Sequence, residues 1–389
     1  MDDVLIVGAG PAGAVAAIVL ARAGARVRLL DRAVFPRDKL CGDTVNPGTL
    51  AELRQLGLSE SIDAIGLRIE GMRVTGPNGV TVDGRYPDGL HGRSLLRRDL
   101  DWGLLQQAIA AGAAFESAGA VHAPIVADTG AATQVTGVTV GAKTHAHELR
   151  ARVVIAADGR RSTLAFALGL ARHPPKPRRW AIGAYYESAH GLSSLGEMHI
   201  RRGRYIGVAP VPGGIANVCL VRPTKPGDPP LRDPGAVLAA ELACDPWLRD
   251  RFADARLIGP PVVLGPLAVD GSLRHFDGLL IAGDAAGFID PMTGDGLRFA
   301  VRGGVLAADA ALEALERGWR GVHDRLARRR VEEFGAKCRF NRVLRALVAS
   351  PAAVLASTMA VRIVPEALSR LVAAAGDCGT AATKQGRSQ

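Results

Sequence analysis

Apolar and polar positions follow distinct rhythms along this chain. Val4-Leu5-Ile6-Val7 is an unbroken apolar run, the pattern of a central strand buried on both faces. Gly8-Ala9-Gly10-Pro11-Ala12-Gly13 follows, and then an Ala-, Val- and Ile-rich stretch predicts a helix to about Ala23, ended by Gly24. A second strand over Arg26–Leu30 delivers Asp31 at its C-terminal end. Two further continuous apolar runs predict buried strands, Val153–Ala157 before Asp158-Gly159 and Gly278–Ala282 before Gly283-Asp284.

Between these runs the period changes. Asn46-Pro47 caps a short predicted helix carrying Leu50, Leu53 and Leu56, and Gly57 stops it. Alternation from about Leu67 to Val82 around Pro77-Asn78-Gly79 predicts a hairpin. Asp99 is expected to cap a helix through Ala111. Phe115–Val154 alternates between Gly/Thr turns, as in an antiparallel meander. Residues 178–262 are rich in strand-forming Tyr, Ile and Val, interrupted by a proline-punctuated linker over Pro223–Pro234. A long helix is expected from Gly296 to about Glu316, with helices to the end and a disordered tail over Ala381–Gln389. Within that end, Val348–Ala375 is expected to supply a lid helix on the second sheet or an interfacial helix pair.

Composition narrows the class. The chain has 389 residues, enough for two domains, and 48% of them are hydrophobic but only 4% aromatic. The core is therefore aliphatic, and the apolar content excludes a disordered chain. Lys+Arg number 48 against 38 Asp+Glu, a net charge of +10. No zinc-ligand spacing, basic helical stripe or aromatic cluster accompanies that surplus, so no nucleic-acid partner is expected. Five scattered cysteines fit a reducing, cytoplasmic setting and form neither a disulfide framework nor a metal site, and no metal is expected. No basic leader and no run of 18 apolar residues is present, so neither a signal peptide nor a transmembrane segment is expected, with peripheral membrane contact left open.

Glycine, at 47 residues, is the unusual figure. In the first loop Gly8 permits a tight strand-to-helix turn, Gly10 allows backbone to approach a pyrophosphate, and Gly13 allows the helix to pack on the strand. The helix N-terminus offers unpaired N–H groups to the phosphate. Asp31, 23 positions after Gly8, stands at the right distance for a ribose. Two further Gly/Asp pairs at strand ends, Asp158-Gly159 and Gly283-Asp284, imply a long ligand along one sheet edge.

Together, Gly8–Gly13, Ala156-Ala157-Asp158-Gly159-Arg160-Arg161-Ser162 and Ile281-Ala282-Gly283-Asp284-Ala285-Ala286-Gly287 resemble the class A FAD-dependent monooxygenase superfamily over nearly the whole chain. That superfamily includes aromatic hydroxylases, flavin halogenases and geranylgeranyl reductases. The resemblance implies an α/β fold in which a glutathione-reductase-type Rossmann FAD domain is interleaved with an antiparallel-sheet substrate domain, followed by C-terminal helices. The FAD domain would comprise residues 1–75, 93–177 and 263–318, the substrate domain 76–92 and 178–262, and the helices 319–380. It implies that Gly8, Gly10, Pro11, Ala12 and Gly13 hold the pyrophosphate and Asp31 and Arg32 the adenosine ribose. Val121 would flank adenine, and Arg97, Asp158, Gly283 and Asp284 would reach the phosphate and ribityl region. Pro291-Met292-Thr293-Gly294-Asp295-Gly296-Leu297 matches the loop under the isoalloxazine, where the following helix N-terminus would favour negative charge on the reduced ring.

Two stretches resemble the geranylgeranyl reductase branch more closely. Phe35-Pro36-Arg37-Asp38-Lys39-Leu40-Cys41-Gly42-Asp43 is similar to its cysteine–glycine loop near the flavin. Tyr205-Ile206-Gly207-Val208-Ala209-Pro210, with Asn217 downstream, is similar to its Y-x-W-x-F-P segment, with Gly207 and Ala209 at the two ring positions. Tyr205, Gly207, Ala209, Pro210, Asn217 and Pro291 would therefore line the substrate pocket, which the missing rings would widen. Cys41 is a candidate thiol beside the flavin, and Asp43 and Asp295 are candidate proton carriers, each equally open to a packing or capping role. The activity implied is an NAD(P)H-driven monooxygenase acting through a flavin C4a-hydroperoxide on a small lipophilic, aromatic or polyketide substrate, free or carrier-bound. Alternatives are a geranylgeranyl-reductase-like enzyme saturating C=C bonds and a flavin-binding or carrier-docking protein without turnover. FAD is the expected cofactor, with NAD(P)H binding only transiently.

Overall fold

The computed structural model describes residues 2–128, 133–141, 145–175, 178–224, 231–350 and 365–379. The first apolar run forms the strand Asp2–Val7, buried beside Val27–Leu30 on one side and His147–Ala156 on the other, all parallel. Ala114–Glu116 extends the sheet at one edge, and Leu279–Ile281 joins the C-terminal end of His147–Ala156 in parallel. The polar-alternating first half of His147–Ala156 instead pairs antiparallel with Thr133–Val140, which pairs with Val121–Asp128. One strand thus joins the parallel and antiparallel parts of a single seven-stranded sheet, its pattern changing from alternating to continuously apolar along its length.

The helix Pro11–Arg22 starts with proline at its first turn, is buried along most of its length, and packs against both Gly296–Arg317 and Arg97–Ala110. Small residues allow the crossing. A Cβ on Gly304 would stand 2.4 Å from the Ala12 carbonyl oxygen. Asn46 caps Pro47–Gln55 as its sequence predicts, its Oδ1 accepting from the Thr49 N–H. Asp99 does not cap its helix: Leu96 is the cap, and Asp99 lies in the first turn, where its charge still favours the helix dipole.

The second sheet has seven strands in the order Arg256–Leu264, Arg179–Glu187, Ile215–Pro223, Arg204–Val211, Leu195–Arg201, Gly71–Thr75 and Thr81–Arg85. All neighbours are antiparallel except Leu195–Arg201 and Gly71–Thr75. The expected hairpin is therefore Gly71–Arg85, and Leu67–Ile69 belongs to a separate small sheet with Gly92–Ser94 and Thr44–Val45. The crossing into the second sheet falls before Gly71 rather than after residue 75. The two hairpin strands approach closely at Gly71, where a Cβ would lie 2.1 Å from the Gly84 carbonyl oxygen.

Helices Val322–Ala349 and Pro365–Ala375 follow, the latter against Thr81–Arg85, so the described end of Val348–Ala375 is a cover on the hairpin. Residues 225–230 of the Pro223–Pro234 linker and the tail over Ala381–Gln389 lie outside the described residues. No helix among the described residues is long and apolar enough to cross a membrane.

Candidate cofactor and substrate cavity

A cavity of about 1330 Å³ runs from the C-terminal edge of the parallel sheet, across the interface, to the second sheet and the C-terminal helices. Its first end is made of backbone. Gly8 has φ +102°, and a Cβ there would meet the Ala157 carbonyl oxygen at 2.5 Å. Gly10, Pro11 and Ala12 line the wall, whereas Gly13 does not. A Cβ on Gly13 would collide with the Gly8 carbonyl oxygen at 1.8 Å, so its role is helix–strand packing. Asp31 sits at the same end, with Oδ2 accepting from the Ala9 N–H at 2.8 Å and Oδ1 from the Ala33 N–H at 2.9 Å. Arg32, Val121 and Asp158 complete this end. Burial raises the pKa of Asp158.

Arg97 lines the middle of the cavity, and its guanidinium makes paired 2.9 Å bonds to the fully buried Asp101. Burial pulls its pKa down, but Asp101 and Cys41 more than offset this, so the guanidinium stays charged. Arg37 reaches the same Asp101 at 3.1 Å. Gly283 turns at φ +61° and presents Asp284 to the cavity, where burial raises the carboxyl pKa against the opposing field of Lys39, Arg97 and Arg160.

Gly294 adopts φ +68° and, with Gly296, Leu297 and Pro291, forms the wall where the helix Gly296–Arg317 begins. Asp295 does not face the cavity. Its carboxylate is buried behind the loop, 3.0 Å from the Lys337 ammonium and 3.0 Å from Asn341 Nδ2. The loop's alternation between open glycines and an inward aspartate places it there, which removes it as a proton carrier.

Cys41 and Gly42 line the opposite wall, and Asp43 lies just behind it, only 1% exposed. Asp43 Oδ1 accepts from the Arg97 N–H at 3.1 Å, and Oδ2 accepts from the Tyr185 hydroxyl at 2.7 Å and Asn217 Nδ2 at 2.5 Å. Burial pushes its pKa up to about 6 despite these donors. Asn217 also donates to the Cys41 carbonyl at 2.8 Å, fixing the cysteine loop on the second sheet.

Beyond this point the wall becomes aliphatic. Met72, Val74 and Val82 come from the hairpin, and Leu344, Leu371 and Val372 from the C-terminal helices. Tyr205, Gly207 and Ala209 line the near part, but Pro210 does not. Side chains alternate along Arg204–Val211, so Pro210 falls on the other face, in a separate hollow with Leu192 and Ser193. The Tyr205 hydroxyl is spent inside the protein, donating to Asp290 Oδ1 at 2.7 Å, and Arg179 stands 3.3 Å from the other oxygen.

Several lining groups were not singled out by the sequence: Tyr185, Lys39, Arg37 and the helical leucines. Tyr185 had only the alternation of Arg179–Glu187 as a signal, which orients a side chain without naming what it meets. Leu344 and Leu371 are ordinary helical apolar positions, indistinguishable from core until the helices are placed.

The dinucleotide fits the first end. Pro11–Arg22 and Gly296–Arg317 both begin at the cavity wall without a side-chain cap, leaving backbone N–H groups for an anion. Gly10 leaves a cradle that a side chain would fill, its nearest neighbour being Arg37 Nη2 at 3.7 Å from an added Cβ. Fold and cavity together define an FAD-dependent oxidoreductase.

Residues 1–207 match the FAD binding domain family, and the chain belongs to it. It is 32% identical over 327 residues to a menaquinone reductase of Mycobacterium tuberculosis, covering 79% of this chain and 76% of that one. It is 32% identical over 323 residues to digeranylgeranylglycerophospholipid reductase 2 of Methanopyrus kandleri, covering 81% and 78%. A flavin-dependent brominase has the same fold, with a TM-score of 0.83 and 20% identity over 99% of this chain and 98% of that one.

Proposed function

We propose that this flavoprotein saturates a C=C bond in a long, lipophilic, isoprenoid-type substrate. The carrying observation is the aliphatic wall from Met72 to Leu371. Each methylene buried there contributes about 0.8 kcal/mol, so a long hydrocarbon chain supplies its own binding energy. The names of the two curated relatives, a menaquinone reductase and a digeranylgeranylglycerophospholipid reductase, support a reductase of lipophilic substrates.

Gly8, Gly10, Pro11 and Ala12 hold the pyrophosphate of FAD in this reading, Asp31 and Arg32 its ribose, and the wall at Val121 its adenine. Arg97, Asp158 and Asp284 flank the linking chain. Cys41, Gly42, Gly294, Gly296 and Leu297 bracket the ring. Bound there, FAD carries two electrons from NAD(P)H to the substrate. The sequence has no second G-x-G-x-x-G loop, so the nicotinamide nucleotide docks transiently. The helix start at Gly296 stabilises negative charge at the ring, and the aliphatic wall excludes water from the double bond. The partner is a small lipophilic molecule.

An oxygen-inserting outcome would use the same cavity, and the product separates the two. Incubation with NADPH and geranylgeraniol in detergent should give a product that gains two hydrogens. A product that gains an oxygen atom instead would replace this reading with a monooxygenase.

A further inference from the structure

Resting on the reductase reading, saturation of a double bond needs a hydride on one carbon and a proton on the other. The proton must come from a group on the cavity wall with a supply behind it. Tyr185 is on the wall, where nucleotide end and aliphatic end meet, and its hydroxyl donates to Asp43 at 2.7 Å. Asp43 is enclosed and reaches the cavity through Tyr185 and Asn217.

Two features set Asp43 apart. Three buried carboxylates around the cavity are held by cations, Asp101 by Arg97 and Arg37, Asp290 by Arg179 and Asp295 by Lys337, while among the described residues Asp31 at the far end is held by the Ala9 and Ala33 N–H groups alone. The hydrogen-bond donors to the Asp43 carboxylate among the described residues are uncharged: the Arg97 backbone N–H, the Tyr185 hydroxyl and the Asn217 amide. Its backbone is also held at φ +50°, a region a non-glycine residue enters at some cost, with its carbonyl tied by Ser94 Oγ and the Leu95 N–H. The fold maintains this conformation and thereby brings the carboxylate under Tyr185.

We propose that Tyr185 is the proton donor to the substrate carbon and that Asp43 is the reservoir that reprotonates it. The π electrons of the double bond, displaced by hydride arriving at one carbon, take the Tyr185 hydroxyl proton at the other. With Asp43 protonated, its acid O–H donates to the Tyr185 oxygen, the reverse of the bond made to the carboxylate, which frees the hydroxyl hydrogen for the carbon. The phenolate oxygen then takes the acid proton, and the resulting carboxylate regains a proton from solvent between turnovers. Two bonds to hydrogen form on carbon and one π bond is lost. Burial, and then Asp43, raise the pKa of Tyr185, so a phenolate does not persist. Titratable and charged groups facing Asp43 are Tyr185, the Cys219 thiol and the Arg97 guanidinium, which is turned toward Asp101, with the Cys41 thiol beside Tyr185.

The test uses FAD-loaded full-length protein. Infrared difference spectra between pH 5 and pH 8 should show one carboxylic acid band titrating near pH 6, absent in Asp43→Asn and shifted in frequency in Tyr185→Phe. With geranylgeraniol in deuterated water, the product should carry one solvent deuteron per saturated bond. Tyr185→Phe should slow saturation by about 100-fold or more at unchanged FAD content. The rate in the unsubstituted protein should fall as pH rises through about 6, and Asp43→Asn should lose that fall. Absence of the band, or a Tyr185→Phe variant with full rate and an unchanged pH profile, overturns the proposal. Failure of the unsubstituted protein to saturate the lipid would strike the reductase reading instead, while the infrared arm still decides the protonation of Asp43.

Discussion

The ammonium of Lys337 stands 3.0 Å from the carboxylate of Asp295, and it also donates to the carbonyls of Ala374 and Ala375 at 2.5 and 2.8 Å. A single buried cation thus ties the loop Gly294–Gly296 to the end of the helix Pro365–Ala375, which walls the cavity through Leu371 and Val372. Lys337→Met removes the ammonium that bridges the carboxylates of Asp295 and Asp377. Removing one partner of a buried pair costs about 3–5 kcal/mol. The thermal midpoint should drop clearly, and Lys337→Arg should recover part of the loss. A midpoint unchanged in Lys337→Met would show that the pair carries no net stability.

Gly10 and Gly8 should respond differently to substitution. A side chain on Gly10 enters the open cradle, so Gly10→Val should fold but bind FAD on the order of 100-fold more weakly, about 2.7 kcal/mol. Gly8→Val must fit a β-branched residue at φ +102° against the Ala157 carbonyl and should lose folded yield as well. Flavin absorbance per folded protein measures the first effect, and the soluble folded fraction the second. A fully yellow Gly10→Val protein would remove the pyrophosphate from this loop.

Asp43 gives stability an unusual pH dependence. Its folded pKa is raised to about 6, so the folded state holds a proton that the unfolded chain has released near pH 4. The associated stability is present below about pH 4 and is lost as pH rises through about 6, a total on the order of 3 kcal/mol. The advantage of the unsubstituted protein over Asp43→Asn should therefore shrink between pH 4 and pH 7. Parallel unfolding curves at several pH values check the slope, and a difference that does not vary with pH contradicts it.

Gly207 lines the cavity with room to spare, an added Cβ finding nothing nearer than the Cys219 carbonyl oxygen at 3.8 Å. Gly207→Trp should narrow the aliphatic passage without touching the nucleotide end. KM for geranylgeraniol should rise about tenfold, equivalent to about 1.4 kcal/mol, while the shorter geraniol is less affected and FAD content is unchanged. Equal effects on both lipids would mean that the long chain does not pass Gly207.

The glycine turns at the edge of the parallel sheet were legible because their signals are local. Gly8, Gly283 and Gly294 take positive φ at strand or turn ends, and a short stretch of sequence is enough to recognise them. The substrate end depends on pairings between distant segments. Tyr185 meets Asp43 across 142 positions because Arg179–Glu187 happens to cross the cysteine loop, and no local pattern states that. Pro210 and Asp295 show the opposite failure. Each belongs to a motif whose neighbours face the cavity, yet the strand alternation and the loop turn direct them away.

The central claim is that reducing equivalents pass from the flavin to a lipid double bond in this cavity without oxygen. Anaerobic stopped-flow mixing of the reduced FAD-loaded protein with geranylgeraniol tests it most directly. The visible flavin band should return in the absence of O₂, one saturated bond forming per flavin reoxidised. A band that returns only when O₂ is admitted, with the lipid unsaturation intact, would contradict it.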